Sequence, residues 1–139
     1  MRKPEPWRVR NKNRLLLQVM KELAGDAHIS FEGDLHGLDL FEIPGASHQV
    51  TAVLRRNTLW PKQDFVIVPL EATTIQEIMA SIGGSIPDAI EHIQIEKAES
   101  LEFGAYDNFH PHAMAFGDAL TETFMASLVS EGLLEHLKK

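Results

Sequence analysis

Apolar residues recur at helical spacing near the start of the chain, between Asn11 and Gly25: Leu15, Leu16, Val19, Met20 and Leu23. Spacing of three and four residues places such side chains on one face of an amphipathic helix. We predict that this helix begins at Asn11 or Asn13 and ends at Gly25, because glycine readily adopts the left-handed backbone conformation that closes a helix.

The most strand-like run is residues 65–70, Phe-Val-Ile-Val-Pro-Leu. Such an apolar, β-branched run is typical of a strand that is buried on both faces, and we predict that it is the central strand. Pro69 has no N–H for a ladder, so the strand should end or bulge there. A second helix is predicted to follow, with Thr74 and Glu77 as a capping box and glycines 83–84 as its C-terminal cap.

Alternating apolar and polar residues predict a first hairpin over residues 27–43, with Gly33-Asp34 as its turn. In that hairpin Leu38 and Leu40 would lie opposite strand residues of the same apolar face. Residues 50–54 are predicted to add a third strand before the apolar run at 65–70.

A second hairpin is predicted from about Ile93, with its turn at Glu99-Ser100. Its apolar face would consist of four side chains: Ile93, Ile95, Leu101 and Phe103. A last helix is predicted to begin at Asp118, which is a favourable N-cap residue, and to end at Gly132. The apolar residues after Gly132 would add another helical turn.

Taken together, these elements predict an α+β fold in a single domain. We expect a mostly antiparallel mixed sheet of about five or six strands, with the N-terminal, central and C-terminal helices packed mainly on one face. Residues 1–10 contain two prolines and few apolar residues, which predicts a basic flexible arm that Trp7 and Val9 could pin to the body. The domain itself would span residues 11–139.

Charge is distributed unevenly along the chain. Residues 1–21 carry seven basic residues and one acidic residue, whereas residues 22–139 carry 6 basic and 19 acidic residues, for a formal net charge of −7. An acidic body favours a basic protein partner through electrostatic steering. The basic arm either lies on that body, stays solvated or binds nucleic acid, and nucleic acid is the least favoured because the body repels phosphates.

The composition excludes several classes of chemistry. The chain has no cysteine, which rules out disulfides, thiol catalysis and cysteine-bound zinc, and makes the reducing cytoplasm the default location. No apolar run approaches the ~20 residues of a membrane helix, and the N-terminus predicts no signal peptide. We therefore expect a cytoplasmic protein with no membrane partner.

A histidine-rich loop is the best candidate for metal chemistry. In extended chain His110 and His112 project to the same side, and Asp107 could add a carboxylate ligand or orient one imidazole. Imidazole and carboxylate suit a divalent transition metal such as zinc, iron, nickel or manganese. An ordinary hydrogen-bonded loop is nevertheless the favoured interpretation of this segment, and a histidine that transfers protons or binds a substrate is a further alternative.

Four side chains are candidates for a binding surface, although core packing is the favoured interpretation of the tryptophan: Trp60, Arg55, Arg56 and Tyr106. The sequence contains no phosphate-binding loop, dinucleotide fingerprint or nucleophile elbow. The leading hypothesis is therefore a protein without catalysis or cofactor that acts by protein–protein interaction, in one version as an inhibitor or antitoxin-like binder of a basic partner. A metal-dependent enzyme and a nucleic-acid binder are the alternatives, and homo-oligomerisation stays open.

Overall fold

The computed structural model describes residues 5–137. Its helices are α1 (Lys12–Leu23), α2 (Ile75–Ser81) and α3 (Glu122–Ser130), with a short 3-10 helix at Leu40–Glu42. Its strands are β1 (Trp7–Val9), β2 (Ala27–Gly33), β3 (Asp64–Leu70), β4 (Ile90–Lys97), β5 (Ser100–Ala105), β6 (Met114–Phe116) and β7 (Leu134–His136). This is the predicted α+β fold.

The main sheet has five strands in the order β3-β2-β4-β5-β6, and all neighbours are antiparallel. Because β3 and β4 flank β2, they run in the same direction, and α2 connects them across β2. The run at 65–70 is therefore an edge strand, which corrects its predicted central position. An edge strand tolerates proline, and β3 continues through Pro69 to Leu70.

The two faces of the sheet differ in character. The inner face packs against the helices in one core, to which β2 contributes Ala27, Ile29 and Phe31. On the outer face, three polar residues of β2 lie opposite three polar residues of β4: His28 with Glu96, Ser30 with Gln94 and Glu32 with His92. We call these three cross-strand pairs the polar ladder. A small second cluster of Leu54, Phe65 and Ile67 lies on the outer side of β3.

The first predicted hairpin does not form. After Gly33 the chain leaves the sheet, where the N–H of Asp34 donates to the carbonyl of Ala89, and residues 34–63 form a long connection. Both edges of β2 are already paired with the distant strands β3 and β4, so a local hairpin partner has no place. Residues 50–54 are not a strand either, because Thr51 and Leu54 close a turn.

The second predicted hairpin does form, with a shifted turn and a bulge. Ala98 and Glu99 occupy the turn with φ angles of 50° and 68°. Leu101 lies opposite Glu96 whereas Phe103 lies opposite Ile95, so one extra residue is accommodated on β5. The bulge turns Leu101 toward the cluster around Leu54, away from the apolar face predicted for it.

The observed helix ends agree in part with those predicted from the sequence. Asn11 caps α1, and Gly83, Gly84 and Gly132 all adopt positive φ where their helices end. Thr121 caps α3 in place of Asp118. The predicted capping box on α2 is absent, since the Thr74 hydroxyl bonds instead to main-chain atoms of the preceding turn.

The two ends of the described chain pair with each other. Residues 7–9, predicted to belong to a flexible arm, form β1 and pair with β7, which replaces the predicted last helical turn. Trp7 is buried, with its ring 4.0 Å from that of His136. Residues 1–4 of the predicted arm lie outside the described residues. The apolar Trp7 thus fixes this segment despite its basic neighbours.

Candidate functional site

The strap, residues 51–63, lies across the polar ladder on the outer face of the sheet. In the middle of the ladder the amide of Gln94 donates to the carbonyl of Arg55 at 2.8 Å. At one end of the ladder, the Thr58 hydroxyl lies 2.8 Å from Nε2 of His92. These contacts attach the strap to β4 at two points.

Glu32 holds the strap to β2. Its side chain is buried, and its carboxylate accepts hydrogen bonds from the backbone N–H groups of Asn57 at 2.7 Å and Thr58 at 3.2 Å. Within residues 5–137 this carboxylate forms no ion pair with a lysine or arginine. Because a buried charge needs compensation, the two N–H donors make this part of the strap a fixed element of the fold.

His92 connects the strap to the turn that follows β5. The backbone N–H of Asp107 donates to its Nδ1 at 3.0 Å, so Nδ1 carries a lone pair and no proton. The proton of the neutral ring is then on Nε2, which donates to the Thr58 hydroxyl. Both ring nitrogens are thus used internally, which assigns His92 a structural role.

Tyr106 extends the polar ladder toward β5. Its hydroxyl donates to the side-chain carbonyl of Gln94 at 3.3 Å, and its ring centroid lies 5.9 Å from that of His92. The ring covers Gly104 so closely that a Cβ there would be 2.6 Å from a ring carbon. Burial raises the pKa of the Tyr106 phenol above its ordinary value.

Leu59 and Trp60 lie next to each other at the tip of the strap and are 91% and 86% exposed. They follow directly after Thr58, whose N–H and hydroxyl are both bound to the ladder. The favoured interpretation of Trp60 as a core residue is therefore wrong. The base of the strap is hydrogen-bonded to the sheet, and its tip exposes two large apolar side chains to water. This is the most distinctive surface feature of the described chain.

The other predicted binding residues lie close to this tip in the fold but differ in availability. Arg56 lies over the Phe65 ring at 5.2 Å and donates to the carbonyl of Gln63, so its guanidinium is used internally. The Arg55 side chain is exposed. Tyr106 is half-buried in the ladder. The structure thus gathers the four predicted residues at the strap and leaves Trp60 and Arg55 open to a partner.

Four carboxylates lie at the end of the sheet where Thr58 and the strap tip are attached. Asp34 follows β2, Asp64 begins β3, Glu91 lies at the start of β4, and Asp107 follows β5. Strand pairing places these four residues at the same end of the sheet, which we call the acidic end. In the described part of the chain none of the four forms an ion pair with a lysine or arginine. The sequence did not reveal this cluster because antiparallel topology creates it.

The predicted metal ligands lie in the loop between β5 and β6. The rings of His110 and His112 are 5.8 Å apart, and Nδ1 of His110 accepts a hydrogen bond from the backbone of His112. Asp107 lies in a left-handed turn, with a φ of 51°. Throughout residues 5–137, no three histidine, aspartate or glutamate side chains are grouped to hold a metal ion. These three residues form a hydrogen-bonded loop.

The basic N-terminal segment is paired with acidic residues of the same chain. Arg8 and Arg10 approach Glu135 at 3.7 and 3.0 Å, and Lys12 approaches Asp88 at 3.2 Å. Lys12 thereby lowers the pKa of the Asp88 carboxyl below its ordinary value. These charges are directed at the protein's own body, which supports the interpretation that the segment lies on it.

Comparison of the chain with protein-family models, with curated proteins and with solved structures found no match. No helix within residues 5–137 combines the length and apolar character needed to cross a membrane. The function is therefore argued from the site itself.

Proposed function

We propose that this protein acts by protein–protein interaction, covering a basic partner with the strap tip and the acidic end. The observation that carries the proposal is the exposure of Leu59 and Trp60 on a strap whose base is hydrogen-bonded to the sheet. Tryptophan is enriched among the residues that dominate binding energy, because it buries a large apolar surface on contact.

The fixed base of the strap favours binding by limiting its entropic cost. A loop that must be ordered on association loses part of its interaction energy to the loss of freedom of its side chains and backbone. Here Asn57 and Thr58 are already held by Glu32, and Gln94 holds Arg55. Only the tip itself would be ordered further when a partner covers it.

The acidic end supports a basic partner. The side chains of Asp34, Asp64 and Asp107 are exposed close to the strap tip, and within the described chain they form no ion pair with a lysine or arginine. Such an arrangement accelerates encounter with a positively charged surface and makes association sensitive to salt. An inhibitor or antitoxin-like binder, without a cofactor and located in the cytoplasm, is the specific form of this proposal.

Site-specific crosslinking in the native host tests this proposal. A photoreactive amino acid replaces Trp60 in one strain and Val129 in another; Val129 is 39% exposed on α3 and serves as the matched control. We expect a discrete crosslinked protein of basic composition from position 60 and none from position 129. The purified complex should weaken steeply as salt rises. Equal products from both positions, or a complex that salt does not affect, would refute the proposal.

A further inference from the structure

A groove opens at the other end of the polar ladder, away from the strap tip. It has a volume of about 480 Å³, within the range of small-molecule sites. Strap residues 51–54 form one wall, Ile67 of β3 contributes apolar surface, and His28, Glu96 and Glu99 supply the polar groups. The Thr51 hydroxyl accepts hydrogen bonds from the backbone N–H groups of Val53 and Leu54, which shapes the turn, and Leu54 packs against Phe65 and Ile67 of β3. The groove is therefore a defined part of the fold.

The polar part of the groove is a paired imidazole and carboxylate. Nδ1 of His28 lies 2.6 Å from Oε1 of Glu96, while Oε2 of Glu96 accepts the backbone N–H of Glu99 at 2.9 Å. A carboxylate oxygen can only accept, so Nδ1 of His28 is the donor. The His28 side chain is 49% exposed, and the structure describes no hydrogen-bond partner for Nε2. These two contacts fix the position of the Glu96 carboxylate at the groove.

The nearby Lys97 ammonium bonds to backbone carbonyls that do not line the groove. Lys97 follows Glu96 on β4, but its ammonium donates to the carbonyls of Leu23, Ala24 and Gly25 at 2.5–3.3 Å. Neither Glu96 nor Glu99 forms an ion pair with a lysine or arginine of the described chain. The groove therefore combines apolar walls with the carboxylates of Glu96 and Glu99.

We propose that this groove binds a small organic amine, with the ammonium at the carboxylates of Glu96 and Glu99 and an apolar body against Leu54 and Ile67. The ammonium would donate to the Glu96 carboxylate, which is a charge-assisted contact, and would also be attracted by the exposed Glu99 carboxylate. An anionic ligand of the same shape would be repelled by the two glutamates. This inference does not depend on the proposed protein partner, because the groove lies at the opposite end of the ladder from Trp60.

Three probes of the same shape test the assignment: phenethylamine, phenethyl alcohol and phenylacetate. Each is titrated into isotopically labelled protein while the backbone amide signals are followed by NMR. We expect phenethylamine to shift the signals of Leu54, Ile67 and Glu99, the alcohol to bind about tenfold more weakly, and phenylacetate to leave them unchanged. Absence of amine-induced shifts in these residues, or equal binding of phenylacetate, would overturn the proposal.

Two variants test whether the Glu96 carboxylate contributes to the binding of phenethylamine. Glu96→Gln removes the charge while keeping an oxygen for the Glu99 N–H, and it should weaken phenethylamine binding about tenfold or more. Glu71→Gln removes an exposed carboxylate outside the groove and should leave binding unchanged. Unchanged binding to a folded Glu96→Gln protein would refute the site. Should that variant fail to fold, the ranking of the three probes on the natural protein decides the question.

Discussion

The backbone N–H of Asp107 lies 3.0 Å from Nδ1 of His92, and this contact determines which ring nitrogen carries the proton. With Nδ1 occupied as an acceptor, Nε2 donates to Thr58 at the base of the strap. One imidazole therefore joins the turn after β5 to the segment that presents Trp60. Neither contact is local in sequence.

His92→Ala should loosen both attached segments. The substitution leaves the Asp107 N–H and the Thr58 hydroxyl without their partner, which should cost about 1–3 kcal/mol of unfolding free energy. Faster hydrogen exchange is expected at Asp107 and Thr58, measured by NMR beside urea denaturation. The control His48→Ala removes an exposed histidine and should change stability by less than about 0.5 kcal/mol. Unchanged exchange at both positions would show that His92 does not hold them.

The close approach of Tyr106 to Gly104 predicts a strong coupling between the two positions. A Cβ at Gly104 would lie 2.6 Å from the Tyr106 ring, so Gly104→Ala should destabilise the protein by about 1–3 kcal/mol. In the Tyr106→Ala background the same substitution should cost much less, since the ring is gone. A double-mutant cycle by urea denaturation measures this difference. Equal costs in the two backgrounds would contradict the contact.

The fold was more predictable from the sequence than the arrangement of the sheet. Local signals sufficed where one residue decides the structure, as at Asn11 for the start of α1 and at Gly132 for the end of α3. Pairing partners were not predictable in the same way. Alternation in residues 27–33 identified a strand, yet it fits a local hairpin as well as the distant partners that β2 actually has.

The candidate site was likewise predictable from local sequence signals only in part. Exposure of Trp60 was open from the sequence, because a tryptophan in a polar loop suits either a core or a surface position. The polar ladder left a signal in two period-two triplets, residues 28, 30, 32 and residues 92, 94, 96. Only the register of β2 with β4 makes His28 a partner of Glu96. Long-range topology, which is absent from local patterns, creates both the groove and the acidic end.

Tyr106 is the only tyrosine in the chain, so its titration can be followed without interference from another phenol. Burial raises its pKa in the folded protein above the ordinary value near 10, whereas unfolding should restore that value. The stabilisation linked to the neutral phenol is fully present below the unfolded pKa and is lost as the pH rises through the folded pKa. Alkaline titration of phenolate absorbance, with and without urea, should show the higher pKa in the folded state. Coincident titrations would contradict the burial of the ring.

Truncation of Trp60 should have little effect on the unfolding free energy, whereas truncation of Trp7 should lower it strongly. Trp60→Ala removes an 86% exposed side chain and should change the unfolding free energy by less than about 0.5 kcal/mol. Trp7→Ala removes a side chain that is 4% exposed between β1 and the core, and it should cost about 3–5 kcal/mol.

Urea denaturation of both variants checks these values, and the crosslinked partner, once purified, allows binding to be measured on the same proteins. Trp60→Ala should lose at least about 2 kcal/mol of binding free energy while keeping its stability, as expected for a residue that dominates an interface. A Trp60→Ala protein that is destabilised as much as Trp7→Ala would show that the side chain contributes to the fold. Full binding by a stable Trp60→Ala protein would instead move the interface away from the strap tip.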